Sequence, residues 1–187
     1  MFDRRHFLAT GLAAAAPALV PGFARAFELD PKFTPQEVSF DPVYQTGQLI
    51  VLPRAHFLYF VIEPGRARRY GVGVGRAGLE FTGTATIDVK KEWPTWRPTN
   101  EMIEREPQTY GRFKGNDYVQ PGGPGNPLGS RALYLFQNGI DTYYRIHGTN
   151  QPSSIGRSVS NGCIRMINAH VQDLYQRVPI GTVVTVL

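Results

Sequence analysis

From Gln48 onward, apolar and polar positions follow a short period that predicts strands over most of the chain. Leu49-Ile50-Val51-Leu52 is an apolar run stopped by Pro53. His56-Phe57-Leu58-Tyr59-Phe60-Val61-Ile62 is β-branched and aromatic and meets a turn signal at Glu63-Pro64-Gly65. Residues 69–75 alternate large and small, and residues 84–90 read as another strand. Arg131-Ala132-Leu133-Tyr134-Leu135-Phe136 and Thr142-Tyr143-Tyr144-Arg145-Ile146 flank Asn138-Gly139, a strong hairpin signal, and residues 182–186 form a last strand.

Helical spacing is rare. Residues 100–106 read as a short helix with Thr99 as cap and Pro107 as stop. Asn168 caps a second, whose apolar residues Val171, Leu174, Tyr175 and Val178 fall at i, i+3, i+4 and i+7 before Pro179 and Gly181. The prolines of Trp93-Pro94-Thr95-Trp96-Arg97-Pro98 exclude a central strand there, and residues 120–130 are a Gly/Pro-rich loop. Trp93 and Trp96 read as core or loop anchors, with a cleft rim as the alternative. The whole predicts a mostly β fold, sandwich-like with a few short helices, in one domain over 48–187. Residues 27–47, with little periodicity, read as an extended lead-in.

The first 26 residues have another character. Arg4-Arg5 precedes Phe7-Leu8, an Ala-rich run follows to Val20, and Ala24-Arg25-Ala26 is a small-x-small cleavage site. These features predict an export leader of the twin-arginine variety over 1–26, and hence a periplasmic protein. The run is closed by Pro17 and Pro21 and is short for a span, so no membrane anchor is expected after cleavage. The chain of 187 residues carries +5. Without residues 1–26, which hold three arginines and one aspartate, Lys+Arg falls to 17 and Asp+Glu to 14, leaving +3. That mild excess suits an anionic wall and does not call for nucleic acid. Arg66, Arg68 and Arg69 read as a solvated turn.

A single cysteine, Cys163, rules out an internal disulfide and any zinc site built on two thiolates. In an oxidising compartment such a thiol is either a buried hydrophobe or kept for its reactivity. Its surroundings decide for reactivity: His147-Gly148-Thr149-Asn150 lies upstream, and Ser160-Asn161-Gly162-Cys163-Ile164-Arg165-Met166 encloses it. A free thiol is only a few per cent thiolate at neutral pH and needs a base such as an imidazole. His147, at the end of an expected strand, supplies one on a rigid platform. Gly162 leaves the backbone open, so the N–H groups of Gly162 and Cys163 are candidate oxyanion donors, with Ser160 and Asn161 shaping the turn. No spacing groups His147, Cys163 and His170 into a metal site, and no cofactor is expected. His56 reads as structural and His170 as exposed.

His-Gly-Thr-x-x-Pro-x-Ser-Ile-Gly followed by Ser-x-Gly-Cys-Ile-Arg-Met resembles the signature of the L,D-transpeptidases with a YkuD-type catalytic domain. Pro94-Thr95-Trp96-Arg97-Pro98 and Asn126-Pro127-Leu128-Gly129 with Arg131-Ala132-Leu133-Tyr134-Leu135 are similar to segments many members carry before the His motif. The chain departs from the family at Asn161, where His is common, and at Phe81-Thr82-Gly83-Thr84, where Thr-Pro-x-Gly is usual. The resemblance implies that Cys163 attacks the carbonyl of the third residue of a peptidoglycan tetrapeptide stem, releasing D-alanine through His147 and leaving a thioester. An amine from a second stem or a lipoprotein then resolves it, or water does, which is carboxypeptidase activity. It also implies that the Gly148 carbonyl orients His147 and that carbapenems acylate Cys163. Arg165 reaches either a substrate carboxylate or a structural salt bridge, and Ser160 and Asn161 are further candidate substrate contacts. A wall-binding module of the same fold with an idle thiol, and a periplasmic metal-binding protein, are the rival readings.

Overall fold

The structure, a computed structural model, describes residues 27–187; the expected leader over 1–26 lies outside the described residues. Eleven strands form along the described chain: β1 Gln36–Ser39, β2 Leu49–Leu52, β3 Phe57–Glu63, β4 Arg66–Gly71, β5 Val74–Gly75, β6 Gly83–Glu92, β7 Arg131–Gln137, β8 Ile140–His147, β9 Ser158–Ser160, β10 Ile164–Arg165 and β11 Val183–Val186. Three short α-helices accompany them: α1 Asn100–Arg105, α2 Pro107–Tyr110 and α3 Asn168–Arg177. Nine strands make one sheet in the order β1-β4-β3-β2-β11-β6-β7-β8-β10, and β5 pairs with β9 apart from it. The architecture is mostly β in a single domain, as the periodicity predicts.

The sheet buries one apolar face. Leu49, Val51, Leu58, Tyr70, Val72, Ile87, Leu133, Leu135, Ile146, Met166, Val171, Leu174 and Val184 join one core cluster. Helix α3 closes it, with Val171 and Leu174 facing inward on the expected stripe. Burial of such side chains, at roughly 25 cal/mol per Å² of apolar surface, is the main force holding the sheet together.

Several expectations need correction. The lead-in contributes β1, whose residues Gln36 to Ser39 pair antiparallel with Arg69 to Arg66. The arginine cluster is therefore a strand, not a turn: Arg66 pairs with Glu37 and Glu63, and Arg68 with Asp173. His56 precedes β3 in a left-handed conformation (φ 60°) and meets Ser158 Oγ at 3.0 Å. The hairpin is as expected, with Asn138 (φ 52°) and Gly139 (φ 75°) both left-handed, as a type I′ turn requires. Thr99 does cap α1, accepting from Met102 N–H, but α2 follows at once because Pro107 suits a first helical turn. Asn168 is not a cap; Ile167 occupies that place and offers no side-chain bond.

Candidate active site

His147 is the last residue of β8 and is buried, 3% exposed. Strand β7 flanks it on one side and β10 on the other, in parallel register with Arg165 opposite His147, and Met166 N–H donates to the His147 carbonyl at 2.8 Å. The ring Nδ1 lies 2.5 Å from the Gly148 carbonyl. A carbonyl can only accept, so Nδ1 carries the hydrogen and Nε2 keeps the lone pair. Asn168 fixes this segment from below: its Oδ1 accepts from Ser130 N–H at 3.0 Å and Thr149 N–H at 3.2 Å. A Cβ at Gly148 or Gly129 would strike that same amide oxygen, so both positions need glycine.

Cys163 sits one residue before β10, half-buried, and lines the same cleft as His147. Its Sγ contacts the Tyr143 carbonyl at 3.9 Å; among the described residues no hydrogen bond joins Sγ to the imidazole. The turn ahead of it is tightly tied. Gly162 adopts φ +119°, and a Cβ there would meet the Tyr144 ring and the Leu79 carbonyl. Gly162 N–H donates to Ser160 Oγ at 3.1 Å, and that hydroxyl donates to the Cys163 carbonyl at 2.6 Å. The Gly162 N–H, expected as an oxyanion donor, is thus committed to the turn, whereas the Cys163 N–H has no acceptor among the described residues. Ser160, 1% exposed, staples the turn from within, and it also lines the cleft. Asn161 points to α1 and α2: its Oδ1 accepts from Arg105 at 3.0 Å and from Arg76, and its Nδ2 donates to Tyr110 Oη at 3.2 Å.

Strand β8 carries a bulge beside the thiol. Asp141 pairs with Phe136 and Arg145 with Tyr134, so three residues of β8 face one of β7. Tyr143, at the bulge, has φ 61° and is 71% exposed in the cleft wall. Asp141 holds it, accepting Tyr143 N–H at 2.8 Å and both arms of Arg145 at 2.6 and 2.7 Å. The Arg145 guanidinium lies 4.0 Å from the Tyr134 ring centroid.

Burial pushes the Cys163 thiol above the ordinary thiol range; the Arg145 N–H and the charges of Arg145 and Arg165 pull it back in part. Burial depresses His147 to about 4, against the Gly148 carbonyl, while the Arg165 and Arg145 charges lower it further. At neutral pH the resting pair is therefore a neutral thiol and a neutral imidazole.

The cleft encloses about 1210 Å³. One wall is β8 and β10; the other is the segment around α1 and α2, where Trp96 packs on Phe113 (5.4 Å between centroids) and Tyr110 (5.9 Å). Trp96 is thus both anchor and rim, while Trp93 is exposed at 45%. Arg165 lines the cleft, donates to Gln151 Oε1 at 3.3 Å and, among the described residues, makes none of the salt bridges that a structural role would use. His170 is half-buried, not exposed, and its Nδ1 has no hydrogen-bond partner among the described residues. Among the described residues no three His, Cys, Asp or Glu side chains gather as a metal site. Asp141, Tyr143, Arg145 and Asn168 escaped the sequence reading. The bulge that joins the first three leaves no mark in the periodicity, and Asn168 imitates a cap.

Residues 46–186 match the family model described as the L,D-transpeptidase catalytic domain. The chain is 32% identical over 155 residues to the Escherichia coli K12 protein named "Probable L,D-transpeptidase ErfK/SrfK", covering 82% of this chain and 47% of that one. It spans about half the length of the E. coli relatives it matches. A crystal structure from Brucella melitensis, named as a probable carnitine operon oxidoreductase caia, is 60% identical (TM-score 0.57) over 82% of this chain and 93% of that one. That name belongs to the Brucella protein. The L,D-transpeptidase LdtMt1 in complex with imipenem shares the fold at 15% identity and TM-score 0.52, over 74% of this chain and 57% of that one. The match over 46–186 settles the family: this chain belongs to the L,D-transpeptidases, with a YkuD-type catalytic domain.

Proposed function

We propose that this protein is a peptidoglycan L,D-transpeptidase that works by acyl transfer through Cys163. The observation that carries this reading is the His147 Nδ1 to Gly148 carbonyl bond at a buried strand end, which makes Nε2 the basic nitrogen in a cleft shared with the only cysteine. Nε2 takes the thiol proton as Sγ attacks the carbonyl of the third stem residue. The unpaired Cys163 N–H donates to the developing oxyanion. Collapse breaks the bond to D-alanine, whose amine receives the proton from His147, and leaves a thioester on Cys163. An amine of a second stem or of a lipoprotein attacks the thioester and regenerates the thiol; attack by water gives the carboxypeptidase outcome. A carbapenem, as a strained acyl donor, is captured by the same sulfur.

Purified protein incubated with disaccharide-tetrapeptides and followed by mass spectrometry should release D-alanine and form cross-linked dimers. Cys163→Ala should abolish both, and a carbapenem should add its mass to the peptide containing residue 163. Release that persists in Cys163→Ala, or an adduct elsewhere, refutes the assignment. The Arg4-Arg5 leader assigns the work to the periplasm. Replacing both arginines by lysine should hold the protein in the cytoplasm, as fractionation would detect.

A further inference from the structure

Five arginines line the cleft, Arg97, Arg105, Arg112, Arg145 and Arg165, against one carboxylate, Glu101. Two of them are answered by acids: Arg145 by Asp141, and Arg105 by Glu106 at 3.9 Å and by the nearby charge of Glu101. The other three make no ion pair among the described residues. Arg97 donates to the Tyr118 and Phe113 carbonyls, Arg112 to Gln120 Oε1, and Arg165 to Gln151 Oε1. Such neutral acceptors satisfy hydrogens but leave the charge uncompensated.

The three charges fall in two places. Arg97 and Arg112 attend one ring, their guanidinium carbons 5.8 and 4.8 Å from the Phe113 centroid. Arg165 is two residues from Cys163 and opposite His147 in the parallel register. A cleft walled by uncompensated cations concentrates anions, and guanidinium recognises carboxylate through paired charge-assisted bonds.

We propose that the cleft selects acyl donors carrying at least two free carboxylates, one received by Arg165 beside Cys163 and the other by the Arg97–Arg112 pair at Phe113. This rests on the transpeptidase reading and narrows its substrate class to stems whose carboxylates are not amidated. The leaving D-alanine carries the carboxylate nearest the scissile bond, which suits Arg165; carboxylates of earlier stem residues suit the remote pair.

Binding separates this inference from the reading it rests on. Cys163→Ala protein is titrated calorimetrically with three synthetic tetrapeptides: all carboxylates free, the C-terminal carboxylate amidated, and the earlier carboxylates amidated. Each amidation should weaken binding about tenfold or more. Adding Arg165→Gln should erase the penalty for the C-terminal amide, and adding Arg112→Gln the penalty for the earlier ones, with circular dichroism confirming that each variant folds. Equal affinities for free and amidated donors, or penalties that survive both substitutions, overturn the proposal. Turnover by the unmodified enzyme is scored separately: tight, carboxylate-dependent binding without D-alanine release would support the selectivity while defeating the transpeptidase reading.

Discussion

At the residue scale, the resting thiol and imidazole are both neutral, and this has consequences that can be measured. Cys163 is held above the ordinary thiol range by burial, so its alkylation rate should rise only at alkaline pH. His147→Gln should abolish turnover yet barely shift that rise, because a group depressed to about 4 is already uncharged at neutral pH and lends the thiolate no cation. An inflection near pH 6 that vanished in His147→Gln would reveal a preformed ion pair instead. The same burial affects the fold. The unfolded imidazole titrates near 6.5 and the folded one near 4, so the unfolded state binds the extra proton between these values. Stability should therefore fall as the pH drops through that window, by about 3 kcal/mol in full, and His147→Gln should flatten that part of the profile in urea titrations.

At the element scale, the site is held by ties between segments rather than by the motif residues alone. Asn168→Ala would strip the acceptor from Ser130 N–H and Thr149 N–H together, and should destabilise by about 2–4 kcal/mol in denaturant melts while lowering kcat. Tyr143 carries a left-handed backbone that an aromatic residue rarely adopts. Tyr143→Gly should therefore be neutral or stabilising by up to about 1 kcal/mol, yet slow turnover if the bulge carbonyl orients Sγ. The sequence made the elements themselves legible where alternation or turn chemistry was strong, as in β2, β3 and the Asn138-Gly139 hairpin. It hid β1, where Gln36, Glu37 and Ser39 are exposed and polar and only Val38 is apolar, so that the strand takes its place through pairing with β4. The turn-shaping duty of Ser160 was legible, but the engagement of the Gly162 N–H with that hydroxyl was not, because a glycine N–H that faces a ligand and one that closes a turn have the same spelling.

At the scale of the whole molecule, the segment from Trp93 to Gly125 is anchored at its ends, where Trp93 N–H donates to the Ser130 carbonyl and Asn126 and Asn150 donate to the Pro94, Pro121 and Gly125 carbonyls, and is tied across its middle by side chains. Asn161 grips Arg105 and Tyr110, and Arg76 pairs with Glu106. Asn161→Ala should therefore speed amide hydrogen exchange in α1 and α2 while leaving β7 and β8 protected, a difference that mass spectrometry resolves. The motif located the chemistry, but no local pattern revealed how this second wall is tied down, since Arg76 and Glu106 lie 30 positions apart and Asn161 lies 56 from Arg105 and 51 from Tyr110. The placement of β11 bears on how the molecule is made. That strand lies between β2 and β6, parallel to one and antiparallel to the other, so it is the seam joining two half-sheets. A ribosome must release residues 183–186 before the halves can meet, and until then each presents a bare edge to its neighbours in the cell. A nascent chain of this kind needs protection during synthesis, and a product cut short before that seam is destined for proteolysis or aggregation.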